Sequence, residues 1–236
     1  NTKNLDKLSN FQRILLLLVL VLMFYILSLI ARYWYADFLF TKGRLENQKG
    51  QYAKATQNLS RAINLSPNEP IYYDELAHAY AQSAIYLYDV DRSFGIEELI
   101  DAAIYHSNYA IDLSPKNLNL FKSRARLFIN IALVEPKYLP KAIDSLITAA
   151  SLAPTDAKVL YDLALALART GDKNEAIIIL EKTVALKPDF RDARFTLALL
   201  YREKLDIDKA KRELREILIK NPNDIFVQEQ LEELGR

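Results

Sequence analysis

Five prolines divide most of this chain at recurring intervals, and that recurrence constrains the fold more than any other feature. Pro67, Pro115, Pro154, Pro188 and Pro222 each sit in a short polar break, read as LSPNEP, LSPKN, LAPTD, LKPDF and KNPND, with spacings of 48, 39, 34 and 34. Twelve residues before each lies an alanine: Ala55, Ala103, Ala142, Ala176 and Ala210. Eight before lies Leu59, Ser107, Leu146, Leu180 or Leu214. After the first four prolines come Ala77, Ala125, Ala164 and Ala198 ten residues on, then Tyr80, Phe128, Leu167 and Tyr201 thirteen on. Two alanine marks per period describe a two-helix unit in which small residues allow close approach. The proline lacks an N–H and disfavours helix in the residue before it, so it ends one helix and opens the next. With five glycines and eight prolines in 236 residues and 51% hydrophobic content, the chain is poor in breakers and rich enough to bury a core, which favours an all-α fold.

On these marks the chain resembles the tetratricopeptide-repeat (TPR) family, whose 34-residue unit carries a small residue in helix A, an alanine in helix B and a closing proline. The resemblance implies an α-solenoid of about five helix-turn-helix repeats at 36–69, 70–117, 118–156, 157–190 and 191–224, with a capping helix in 225–236. Repeat 2 carries fourteen extra residues and repeat 3 five, both between the helix-A and helix-B marks. Around 84–95 the insert reads AIYLYDVDRSFG, so helix A is expected to lengthen before a loop turns back. Thr183 and Ile217 replace the small residue present as Ala62, Ala110 and Ala149, which predicts looser packing in the last two repeats.

Ahead of the repeats, Ile14 to Ala31 reads ILLLLVLVLMFYILSLIA without a charge. As a helix those eighteen residues rise about 27 Å, close to the thickness of a hydrocarbon core. Arg13 and Arg32 bracket the run and Tyr33, Trp34 and Tyr35 follow it, where amphipathic rings favour the headgroup layer. Residues 11–35 therefore read as a transmembrane helix with an aromatic border, preceded by a polar flank at 1–10. Ser9 and Gln12 form a capping-box pattern at its start. The segment ends in ARYWYADF, without the small residues of a signal-peptide cleavage site. Lys3, Lys7 and Arg13 on one side balance Arg32, Lys42, Arg44 and Lys49 on the other, so orientation is open. The span either continues into helix A of repeat 1 or breaks near 33–37. The start at Asn1 suggests a C-terminal piece of a longer chain, and residues 42–236 are expected to be soluble and helical without the span.

Lys+Arg 31 against Asp+Glu 30 gives no global field for nucleic acid, and the absence of cysteine excludes disulfides, thiolate-bound zinc and thiol catalysis. No phosphate loop, GxSxG elbow, HExxH or EF-hand pattern occurs. The two histidines, His78 and His106, lack ligand partners at metal-binding spacing. Glu97-Glu98 and Glu232-Glu233 point in different directions on a helix and read as solvated faces. No catalytic residue, metal or cofactor is assigned.

What remains is binding. Lys122 and Arg126 lie four apart in helix A of repeat 3 and share a face. In the TPR frame that face lines the concave groove, and the corresponding residues are Asp74 and His78 in repeat 2, Tyr161 and Leu165 in repeat 4, and Phe195 and Leu199 in repeat 5. A basic centre with an aromatic flank suits an extended protein or peptide segment carrying an acidic group, held by Lys122 and Arg126 with Tyr161 and Phe195 on its apolar part. The alternative is that these cations solvate the groove or bridge to Asp74. The asparagine of the TPR clamp for chaperone tails is absent at Arg126. Arg124 occupies a usually apolar position, so a carboxylate partner inside the stack is expected for it.

The passage RYWYADFLFTKGRLENQKGQYAKATQNLSRAINLSPNEPIYYDELA, with FKSRARLF and LAPTD, also resembles the tail of bacterial O-antigen ligase/polymerase-like membrane proteins, in which a last transmembrane helix leads into TPRs. That resemblance implies a bacterial cytoplasmic-membrane location and a parent that transfers or polymerises lipid-linked glycans, with its catalytic residues upstream of Asn1. A single-pass membrane TPR adaptor or assembly factor has the same joint.

Overall fold

The computed structural model describes residues 9–90 and 94–235, and among them every regular element is helical. In chain order these are α1 (Asn10–Gln48), α2 (Tyr52–Leu65), α3 (Pro70–Asp89), α4 (Ile96–Leu113), α5 (Leu118–Ile131), a 3-10 turn (Pro136–Tyr138), α6 (Leu139–Leu152), α7 (Ala157–Thr170), α8 (Lys173–Leu186), α9 (Arg191–Glu203), α10 (Ile207–Lys220) and α11 (Ile225–Glu233). They form two compact units, Asn1–Ser83 with Asp101–Leu113, and Ala84–Ile100 with Ser114–Arg236. Lys3, Lys7 and most of the polar flank lie outside the described residues, as do 91–93 of the insert.

In the N-terminal unit α1 starts at a capping box, Ser9 N–H donating to Gln12 Oε1 at 2.9 Å and Gln12 N–H to Ser9 Oγ at 3.3 Å. It then runs through 33–37 without a break. No residue from 14 to 31 is buried. Packing begins at Ala36 and continues at Leu39, Phe40 and Gly43, a helical stripe that meets Ala55, Leu59 and Ala62 of α2 and Tyr72, Leu76 and Ala79 of α3. Ala36, Leu39 and Phe40 precede Lys42, so a chain cut at 42 lacks three of the four buried residues of α1. At Gly43 the two helices approach so closely that a Cβ would stand 2.8 Å from Leu59 Cγ. Phe40 and Tyr72 stack at 4.8 Å, and Arg32 Nε–H donates to the Leu65 carbonyl at 2.6 Å.

In the C-terminal unit the pairs α5–α6, α7–α8 and α9–α10 stack in order, each helix packing on the next, and α11 closes on α10. The alanine marks are the contact points: Ala125, Ala164 and Ala198 in the first helix of each pair and Ala142, Ala176 and Ala210 in the second are all buried. Thr183 and Ile217 are buried as completely as the alanines they replace, so the expected looseness is absent from their exposure. Thr183 satisfies its hydroxyl by donating to the Ile179 carbonyl at 2.8 Å, while Ile217 packs with Leu214 and Val227. The fourteen-residue insert lengthens α3 to 20 residues and α4 to 18, against 14 for α5 and α7. The next repeat, five residues longer than the 34-residue unit, carries the three-residue 3-10 turn, whose Tyr138 stacks on Phe128 at 6.2 Å.

Candidate functional site

Helix α5 places Lys122, Ala125, Arg126 and Ile129 on one face, and α7 turns Lys158, Asp162, Leu165, Ala166 and Arg169 toward it. With Leu146 of α6 they enclose an open cavity of about 300 Å³. Its floor is aliphatic and its rim carries four cations against one carboxylate.

The cations differ in how they are held. Lys122 Nζ lies 3.3 Å from Asp156 Oδ2, and Lys158 Nζ lies 2.7 Å from Asp162 Oδ1. Arg126 and Arg169 are exposed and, among the described residues, have no ion-pair or hydrogen-bond partner. Asp156 is also the N-cap of α7, its Oδ1 accepting from Lys158 N–H at 2.9 Å and Val159 N–H at 3.2 Å. Burial works against its charge, but the hydrogen bonds from Val159, Lys122 and Lys158, together with the Lys122 ammonium, hold its carboxyl below the ordinary 3.8. This arrangement can attract and orient an anion beside an apolar surface. Its single carboxylate is charge-paired, so the cavity has no poised base or nucleophile.

Lys122 and Arg126 thus share a cavity, whereas Tyr161 and Phe195 do not line it. Tyr161 packs on Phe190 at 5.0 Å under Lys158, with its hydroxyl 3.5 Å from Thr196 Oγ1. Phe195 meets Phe226 at 5.3 Å beneath Arg191, which forms an ion pair with Asp224 at 2.6 Å. Arg124 lies over the Phe128 ring at 5.4 Å, which accounts for a cation at an apolar position. Lys158, Asp162 and Arg169 escaped the sequence reading because it aligned equivalent positions of successive helices. A cavity between neighbouring helices is lined by opposite flanks, so non-equivalent positions face each other.

Asp74 and His78 sit half-buried on α3 of the N-terminal unit. The other histidine, His106, stacks on Tyr80 at 5.6 Å beside Tyr73 and Tyr105, with Nδ1 buried and unpaired, and burial pushes its pKa down. Among the described residues no three His, Cys, Asp or Glu side chains converge as a metal site.

Family models described as the TPR, or tetratricopeptide, repeat match residues 43–83, 157–190 and 192–224. Those three segments are tetratricopeptide repeats. The TPR fold is also that of MamA from Desulfovibrio magneticus RS-1, with a TM-score of 0.59 and 19% identity over 80% of this chain and 97% of that one. YrrB, described as a TPR protein with an unusual peptide-binding site, aligns with a TM-score of 0.56 and 17% identity over 81% of this chain and 89% of its own. Human protein O-mannosyl-transferase TMTC3 is 28% identical over 186 residues, 78% of this chain and 19% of that protein. This chain therefore spans about a fifth of that relative's length.

Proposed function

We propose that this chain is a membrane-anchored TPR scaffold that binds an extended acidic segment of a partner protein between α5 and α7. The observation that carries the reading is the pair of unpartnered guanidinium groups, Arg126 and Arg169, standing over an aliphatic floor. A carboxylate of the partner is held by Arg126 and Arg169, with Lys122 contributing once Asp156 yields it, and an adjacent apolar side chain covers Ile129 and Leu165. Tyr161 and Phe195 extend the same helix-A series toward the C-terminus and take the rest of the segment. Asp74 and His78 are the corresponding positions in the N-terminal unit. A peptide ligand accords with the peptide-binding site described for YrrB, which has the same fold. The anchor is residues 14–31, uncharged throughout and without a buried member.

The test is binding of labelled peptides that place Asp or Glu beside Leu or Phe to the full chain in nanodiscs. Lys122→Glu with Arg126→Glu should weaken capture about tenfold or more, the equivalent of about 1.4 kcal/mol, with helicity unchanged. Undiminished affinity in the folded double variant rejects the site.

A second reading concerns the parent. The likeness to a protein O-mannosyl-transferase supports a longer membrane protein that transfers glycans, of which this chain is the TPR part. An O-antigen ligase/polymerase-like enzyme of the bacterial cytoplasmic membrane is one version, resting on the joint between span and repeats; a single-pass adaptor is the alternative. The reading frame upstream of Asn1 discriminates them. Many hydrophobic spans favour the enzyme, and an immediate start codon favours the adaptor.

A further inference from the structure

We infer that the first inter-repeat turn, 65–70, lies in the lipid headgroup layer, with Arg32 linking it to lipid phosphate. The helix pair α1–α2 then meets the bilayer at a fixed height. This rests on the reading of 14–31 as a membrane span.

Two constraints lead there. The first is axial: α1 is one helix from Asn10 to Gln48, without Gly or Pro between Arg13 and Lys42. Arg32 is one step beyond the apolar run, and Phe38 is about 9 Å further along the axis. Each headgroup layer is about 5–7 Å thick, so the exposed rings of Tyr33, Trp34 and Tyr35 fall within it and Phe38 lies just beyond it. Trp34 and Phe38 stack at 6.3 Å, an aromatic edge that leads out of that layer.

The second constraint is lateral. Arg32 Nε–H donates to the carbonyl of Leu65, the last residue of α2, at 2.6 Å. One arginine side chain spans only a few ångströms, so the end of α2 sits near the depth of Arg32, and Pro67 and Asn68 at the tip of the turn are exposed there. A carbonyl at a helix end has no partner inside its own helix, and Arg32 supplies one. That bond uses one of five guanidinium N–H groups, and Leu65 is its only hydrogen-bond partner among the described residues. The remaining donors have the fork geometry that fits phosphate oxygens.

The chain has no cysteine, so single cysteines can carry a nitroxide. Leu22→Cys, Asn68→Cys and Lys49→Cys, each in the full chain in phosphatidylcholine vesicles, would be compared by collision with oxygen and with a water-soluble nickel chelate. The expected order is Leu22 shielded from nickel, Lys49 fully accessible and Asn68 between them. Adding Arg32→Gln should shift the Asn68 site toward the Lys49 value. Asn68 as accessible as Lys49, with Leu22 still shielded, overturns the headgroup placement and leaves the span standing. An accessible Leu22 overturns both. An Asn68 site that is shielded but unmoved by Arg32→Gln overturns the role given to Arg32.

Discussion

The opening pair α1–α2 and the pairs α7–α8 and α9–α10 bring their helices together at the same register with different atoms at the contact. Gly43, Ala164 and Ala198 each precede the helix-B alanine by twelve residues; the two alanines bury a Cβ there, whereas at Gly43 a Cβ would stand 2.8 Å from Leu59 Cγ. The turns differ in the opposite sense. Gly50, Gly171 and Leu205 each precede that alanine by five, and all three have positive φ, at 72°, 93° and 62°. Helix spacing and turn geometry are thus set separately: α1–α2 has glycine at both places, α7–α8 only in the turn, and α9–α10 at neither. At the last of these the backbone keeps its conformation although an 82% exposed leucine occupies it.

The severest way to break the comparison is to remove the part of α1 that makes it a repeat helix. A chain beginning at Lys42 should be less stable than one beginning at Tyr33 by roughly 4 kcal/mol, since Leu39 and Phe40 each contribute about 1.5–3 kcal/mol by burial. Urea titration followed by circular dichroism would measure it, and equal midpoints would detach residues 33–41 from the first repeat. Next comes the contact itself. Gly43→Ala should destabilise by about 1–2 kcal/mol despite alanine's better helix propensity, because the methyl meets Leu59. Ala164→Gly should cost about 1 kcal/mol by propensity alone. A stabilised Gly43→Ala variant would mean the two contacts are equivalent.

The turns should give a smaller effect of opposite sign. Leu205→Gly is expected to stabilise by about 1 kcal/mol, raising the melting temperature by a few degrees, because a left-handed conformation costs a residue with a Cβ about that much. No gain would indicate that the turn relaxes in solution. Smallest is an acid dependence shared by two ion pairs joining successive repeats, Lys122–Asp156 and Arg191–Asp224. The side-chain bond from Arg191 holds Asp224 below 3.8, and Asp156 is lowered as well. Since their folded pKa values lie below the unfolded ones, their contribution is complete above 3.8 and disappears as pH falls through the folded values. Asp156→Asn, which keeps an N-cap residue, should lessen that loss in an acid titration of stability.

Much of this was legible beforehand because it depends on local chemistry. Proline at each break, alanine twelve residues earlier and apolar residues at helical spacing determine an all-helical repeat fold, and eighteen uncharged residues set apart one segment that the repeats do not bury. The sequence also brought out Lys122 and Arg126, since residues four apart on a helix share a face. The tertiary structure alone decided that α1 continues unbroken into the first repeat, because helix and break were both compatible with RYWYADF and only the packing of Ala36, Leu39 and Phe40 on α2 and α3 selects the helix. It also decided which groups meet across helices: Lys122 pairs with Asp156, thirty-four residues away, and Arg126 and Arg169 line one cavity. Such pairings depend on how far one helix is rotated and shifted against the next, a quantity of the packed interface that no periodicity along the chain records.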